Sequence, residues 1–201
     1  WPASAWGLTF VMWAVMMIAM MTPAVLPTVL LYAATRRGRP RAALQVAAFT
    51  GGYLGVWTAW SVAATAVQWL LHQLAILDPM MANTSRAFAA VSLLLAGAWQ
   101  WSPLKERCLA HCRSPLAFLL ARWREGVAGA LGMGLRHGAY CVGCCWVLMA
   151  LLFALGTMEM RWIVALTALV LLEKLAPAGQ WIARASGAGF IAWGGWLVLF
   201  R

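Results

Sequence analysis

The chain has 201 residues, of which 64% are hydrophobic and 10% charged, and its net charge is +10. A soluble domain carries roughly 25% charged residues and must keep a wetted surface, so this composition excludes an ordinary water-soluble fold and points to helices packed in lipid. The positive charge does not point to nucleic acid, because it gathers in short connections between apolar runs, as membrane topology signals do.

The sequence starts at Trp1 rather than Met, which implies a segment upstream. Six apolar runs follow, at about 5–34, 42–71, 87–101, 127–155, 162–176 and 181–200. A helix needs about 20 apolar residues to cross the hydrocarbon core. The expectation is an all-α, polytopic transmembrane helical bundle of about six helices, forming a single domain over residues 1–201. The last two runs are short, and the turn at Pro177 and Gly179 marks their boundary weakly.

Arg36, Arg37, Arg39 and Arg41 crowd the first connection, and Lys105, Arg107, Arg113, Arg122 and Arg124 the third. The second holds mainly Asp78 and Arg86, the fourth Glu159 and Arg161, and the fifth Lys174 and Arg184. Basic loops stay on the cytoplasmic side, so the first and third connections are expected there, with Trp1 and Arg201 outside. The third, at about 102–126, includes an amphipathic stretch over 116–123 suited to the membrane surface. The 14 tryptophans suit the headgroup level.

The first run carries Met12, Met16, Met17, Met20 and Met21. Met12, Met16 and Met20 recur every fourth residue and share one helical face. Thioethers are soft, neutral donors suited to Cu(I), although a methionine is ordinarily a flexible filler of apolar contacts. The fourth run carries His137, Cys141, Cys144, Cys145 and Met149. At about 100° per residue these form one soft-ligand face, whereas single cysteines in apolar helices usually serve as small packing residues. The methionine and cysteine faces both sit near mid-depth, so a joint site between the first and fourth runs is one arrangement. In the third connection Cys108 and Cys112 are one helical turn apart, with His111 beside them. Two cysteines fall short of the four ligands of a structural zinc site and suit a two-coordinate Cu(I) delivery point, a redox pair, or nothing beyond packing. Met158 and Met160 flank Glu159 as a weaker soft pair. Glu173 and Lys174 form an ionisable pair near the end of the fifth run, where Lys174 is able to snorkel to the surface. No hydrolase triad, phosphate loop or dinucleotide fingerprint is present, so an enzymatic role is not indicated.

Four segments carry a family resemblance: Met16-Met17-Ile18-Ala19-Met20-Met21-Thr22-Pro23, Gln100-Trp101-Ser102-Pro103-Leu104-Lys105, Cys108-Leu109-Ala110-His111-Cys112-Arg113-Ser114-Pro115, and the run from His137 through Cys141, Cys144 and Cys145 to Met149. With these the chain resembles a bacterial family of predicted metal-binding integral membrane proteins, catalogued as a domain of unknown function. The resemblance covers most of the chain and implies an additional hydrophobic helix near the N-terminus of its members. It also implies a bacterial cytoplasmic (inner) membrane location, and it assigns no reaction.

The leading expectation is a protein that transports, delivers or stores a soft metal, Cu(I) before zinc. The metal residues would be Met12, Met16, Met20, His137, Cys141, Cys144, Cys145, Met149, Cys108 and Cys112. Partners would be the lipid bilayer, other membrane subunits or a metal chaperone, and no nucleic acid. The alternative is a structural or assembly subunit of a larger membrane complex without bound metal. A third possibility is a thiol redox protein using Cys144 and Cys145, or Cys108 and Cys112.

Overall fold

The computed structural model describes residues 2–74, 76 and 85–199; Trp1, Asp78, Phe200 and Arg201, used above for the ends and the second connection, lie outside the described residues. The chain forms α1 (Ala3–Thr35), α2 (Ala42–Gln73), α3 (Arg86–Gln100), α4 (Pro103–Arg113), α5 (Pro115–Arg122), α6 (Gly126–Ala150), α7 (Leu152–Leu155), α8 (Met160–Leu175) and α9 (Gly179–Leu199). No strand occurs among the described residues. The six apolar runs become α1, α2, α3, α6 with α7, α8, and α9.

By length and composition alone, four segments are long and apolar enough to cross a membrane: Ala3–Thr35, Ala42–Gln73, Gly126–Leu155 and Gly179–Leu199. The pair α3 and α4, bent by 64° at the break between them, makes a fifth if taken as one span. Helix α8, with 16 residues, falls short of the roughly 20 that a straight crossing needs.

The stretch at 102–126 is not a plain connection. Ser102 caps α4, its hydroxyl accepting a hydrogen bond from the Lys105 backbone N–H at 3.1 Å. Pro103 fills the first helical position, where a missing N–H costs nothing. Lys105, Leu109 and Cys112 are the buried residues of α4. Their i, i+4, i+7 spacing turns one stripe inward, and that stripe lies on α6. Ser114 then breaks the helix before Pro115, since a residue preceding proline avoids the helical region. Helix α5 folds back with Phe118 and Leu119 buried.

The basic first connection is also partly internal. Arg36 is buried, its Nη1 2.8 Å from Glu125 Oε2, with the guanidinium 4.4 Å from the Trp123 ring centre. Hydrogen bonds from the Trp123 indole and from Arg36 hold the Glu125 carboxyl below its usual pKa. This contact ties the end of α1 to the start of α6.

Helix α2 stands between α1 and α6 and packs on both, most extensively on α6. Thr28 of α1 touches His137 of α6 directly at 3.5 Å, whereas the cysteines are linked to α1 through Tyr53 of α2, which packs closely on α6. Small residues make this close packing possible. A Cβ added to Gly134 would fall 2.0 Å from the Phe49 carbonyl oxygen of α2.

Backbone cannot yield at Gly134 without separating the two helices, so Gly134→Ala is expected to destabilise the bundle by about 1–3 kcal/mol, the usual cost of overpacking. Gly132, whose added Cβ would meet nothing within 4 Å, is the control. Thermal unfolding in detergent should show a lowered midpoint for Gly134→Ala and none for Gly132→Ala. Equal midpoints for the two variants would contradict the close α2–α6 contact.

Candidate functional site

The inward face of α6 carries the chemistry. His137, Cys141, Cys144, Cys145 and Met149 are all buried, as their helical spacing requires of a face that packs against neighbours. Exposing such hydrogen-bonding groups to an apolar surround would cost several kcal/mol, on the order of 2–7 for each unpaired group. The Cys144 thiol donates to the Cys141 carbonyl at 3.2 Å and touches the Cys145 sulfur at 3.2 Å. Its Sγ is also 4.0 Å from that of Cys112, which comes from α4.

Cys141 gathers partners from two further helices. Its sulfur is 3.0 Å from the Tyr53 hydroxyl of α2 and 2.8 Å from the Lys174 ammonium of α8. It also lies within interaction range of the thiols of Cys112, Cys144 and Cys145. Tyr53 in turn donates to the Met21 carbonyl of α1 at 3.2 Å. One buried spot thus collects α1, α2, α4, α6 and α8.

The sequence expectations divide here. Cys108 and Cys112 share a face of α4, as their spacing suggested, but that face looks inward. Cys112 joins the α6 sulfurs, and Cys108 packs on Gly143, where an added Cβ would come within 2.8 Å of its sulfur. They are not a separate loop pair. His137 is buried among the Phe118, Tyr53 and Phe49 rings, at centre distances of 4.9, 5.8 and 6.2 Å. Its Nε2 is 3.5 Å from Thr28 Oγ1, and its Nδ1 is buried with no hydrogen-bond partner. On α1 the buried line runs through Trp13, Met17, Met20 and Met21, while Met12 and Met16 are half-buried at its margin. The inward methionine face is therefore centred nearer Met17 and Met21 than on the line of Met12, Met16 and Met20. Met158 and Met160 are exposed.

Two charges behave differently from the sequence reading. Glu173 does not pair with Lys174; it pairs with Lys105 at 2.6 Å, both side chains only 1% exposed. Lys105, read as a topology charge in a loop, is thus internal. Lys174 does not snorkel outward but turns in to Cys141. A lysine inside an apolar run was the visible signal for it. Tyr53 carried no signal at all, since an aromatic residue in an apolar helix is ordinarily packing.

The donor set is soft and dry. Sulfur supplies it, carboxylate is absent from the immediate contacts of Cys141 and Cys144, and a fixed ammonium stands beside the sulfurs. Among the described residues, no group of three or more His, Cys, Asp or Glu side chains is arranged to hold a metal ion. A pair is sufficient for Cu(I), which binds soft sulfur donors readily. At about 2.3 Å each, the zinc–thiolate length, two thiolates on one ion stand at most roughly 4.6 Å apart, and the Cys112–Cys144 separation of 4.0 Å falls inside that limit.

Residues 10–197 match a family model, PpoB2, whose description is copper chaperone. No curated protein and no solved structure matches the chain.

The contact between α4 and α6 has a direct chemical test. In a variant that keeps only Cys112 and Cys144, with serine at the other three positions, mild iodine oxidation should join the two sulfurs. Cleavage of the chain between Arg122 and Glu125 then yields two fragments held together until a reductant is added. A variant keeping Cys108 and Cys144 should cross-link far less. Fragments that separate without reductant in the first variant would refute the juxtaposition.

Proposed function

The chain belongs to the PpoB2 copper chaperone family, and from that premise we propose that it is an integral membrane protein that holds Cu(I) as cargo at the α4–α6 sulfur cluster and passes it on. Cys112, Cys141, Cys144 and Cys145 are the donors in this reading. The observation that carries it is the arrival of Cys112 from a separate helix at 4.0 Å from Cys144, which makes a soft-donor pair out of residues 32 positions apart. Met149, on the same buried face of α6, and the buried methionines of α1, Met20 among them, are neutral secondary donors in this reading. His137 lies one helical turn from Cys141 on the same face, with a free ring nitrogen, and serves as a further stop for the ion.

Chemistry favours copper over zinc in this setting. Zinc(II) prefers four nitrogen, sulfur or oxygen ligands in a tetrahedron and gains little from thioethers. Cu(I) accepts two or three soft donors, including methionine. Its single charge is also less costly to place in an apolar surround than a double one. Met12 and Met16, half-buried at the margin, and Cys108, packed on Gly143, are peripheral donors in this reading.

The membrane setting rests on composition and on the four long apolar helices. The location proposed is the bacterial inner membrane, with the α1–α2 connection and the α4–α5 hairpin on the cytoplasmic side by their arginine and lysine content. A cytoplasmic or membrane-bound acceptor of copper is the partner this role requires.

Competition against a chromophoric Cu(I) chelator under reducing conditions tests the reading. The purified wild-type protein should take up Cu(I) in preference to Zn(II). Cys141→Ser with Cys144→Ser should weaken Cu(I) binding at least about a hundredfold, and Met12→Leu by less than about threefold, as expected when anionic thiolates outweigh a marginal thioether. Undiminished binding in the double serine variant would remove α6 from the site.

A further inference from the structure

The segment Gln100-Trp101-Ser102-Pro103-Leu104-Lys105 is left unused by the sulfur cluster, yet its polar side chains are deeply engaged. Glu173 of α8 receives Lys105 Nζ on one oxygen and Gln100 Nε2 on the other, each at 2.6 Å. Lys105 Nζ also donates to Gln100 Oε1, and Gln100 Nε2 reaches Ser186 of α9 at 2.9 Å. The knot joins α3, α4, α8 and α9 at the bend between α3 and α4.

A buried ion pair is weak support for stability, because desolvation offsets most of its attraction. What such a pair fixes is geometry. Lys105 and Cys112 lie on the same inward stripe of α4, two turns apart. Anchoring Lys105 therefore sets the rotation of the whole helix and keeps Cys112 turned to α6. The far end of α4 is braced as well, since Arg113 donates to the Ala176 and Pro177 carbonyls at 2.8 and 2.6 Å. Helix α8 is in turn held to α6 by the residue next to Glu173, through Lys174 and Cys141. The contacts close a ring: α6 to α8 through Cys141 and Lys174, α8 to α4 through Glu173 and Lys105, and α4 back to α6 through Cys112 and Cys144.

We propose that Gln100, Lys105 and Glu173 are positioning residues of the copper site, acting on it through Cys112. The inference rests on the reading of the sulfur cluster as a Cu(I) site. The side-chain hydrogen bonds of the three residues go to one another and to Ser186, not to sulfur; they set the orientation of α4 that brings Cys112 to Cys144.

The test is a double-mutant cycle on the full chain in detergent, with Cu(I) affinity measured by chelator competition for wild type, Glu173→Gln, Cys112→Ser and the double variant. Glu173→Gln should lower affinity about tenfold, the coupling expected of residues in one network. In the Cys112→Ser background the same change should cost less than about twofold, because the residue it acts through is gone. The metal-free Cys112–Cys144 cross-link should fall in parallel when Glu173→Gln is introduced into the two-cysteine variant. An equal loss in both backgrounds, or an unchanged cross-link, overturns the proposal. Should Glu173→Gln not fold, Lys105→Met with Glu173→Leu replaces the ion pair by apolar side chains of similar size. It should fold and show the same tenfold loss; full affinity there overturns the proposal too. A wild-type protein that binds no Cu(I) removes the site reading itself, whereas a wild type that binds tightly beside an unaffected Glu173→Gln removes the positioning role alone.

Discussion

The Lys174 ammonium lies 2.8 Å from the Cys141 sulfur, and both residues are buried. A buried charge needs a partner of opposite or polarisable character, or it costs several kcal/mol. Here the partner is a sulfur, and the requirement to bring the two together shapes the elements around them. Helix α8 must approach α6, α2 must admit Tyr53 to the same sulfur, and the remaining buried charges of this region must be paired elsewhere. Lys105 and Glu173 are that second pairing. The break between α3 and α4 at Ser102, which precedes Pro103 and is extended, stands next to this pair.

Sulfur, dryness and a fixed positive charge act together in this arrangement. Thiolates in an apolar surround are stabilised by a nearby cation, whether ammonium or metal ion. In the proposed reading the cluster suits a soft monovalent cation, through donors that hard ions such as Mg(II) or Ca(II) do not favour. The tyrosine hydroxyl connects this chemistry to the α1 backbone through Met21. It couples the methionine-bearing helix to the cysteines, alongside the direct contact of Thr28 with His137.

Helices of long apolar runs were legible from the sequence because their signal is local: hydrophobic length, proline, glycine and charge at the ends. The predicted run at 42–71 and the observed Ala42–Gln73 differ by two residues. The inward cysteine face of α6 was legible for the same reason, since spacing alone places His137, Cys141 and Cys144 together. Helix α4 was not. Its 11 residues include five that carry charge or histidine, so its composition reads as a loop, and only capping by Ser102 and its anchored inward stripe make it an internal helix. Cys112 beside Cys144, and Glu173 with Lys105 rather than with its neighbour Lys174, are contacts between distant segments. Consecutive residues on a helix point about 100° apart, which is why an adjacent acid and base can serve two separate partners. That geometry is visible in a sequence only after the partners are known.

In the proposed role, sulfurs from α4 and α6 hold one Cu(I) together. X-ray absorption at the copper edge, on protein loaded with one equivalent of Cu(I), reads the ligand shell directly. Wild type should show a shell of sulfur alone, with one fewer sulfur in Cys112→Ser. A shell of nitrogen and oxygen, or identical spectra for the two proteins, would contradict it.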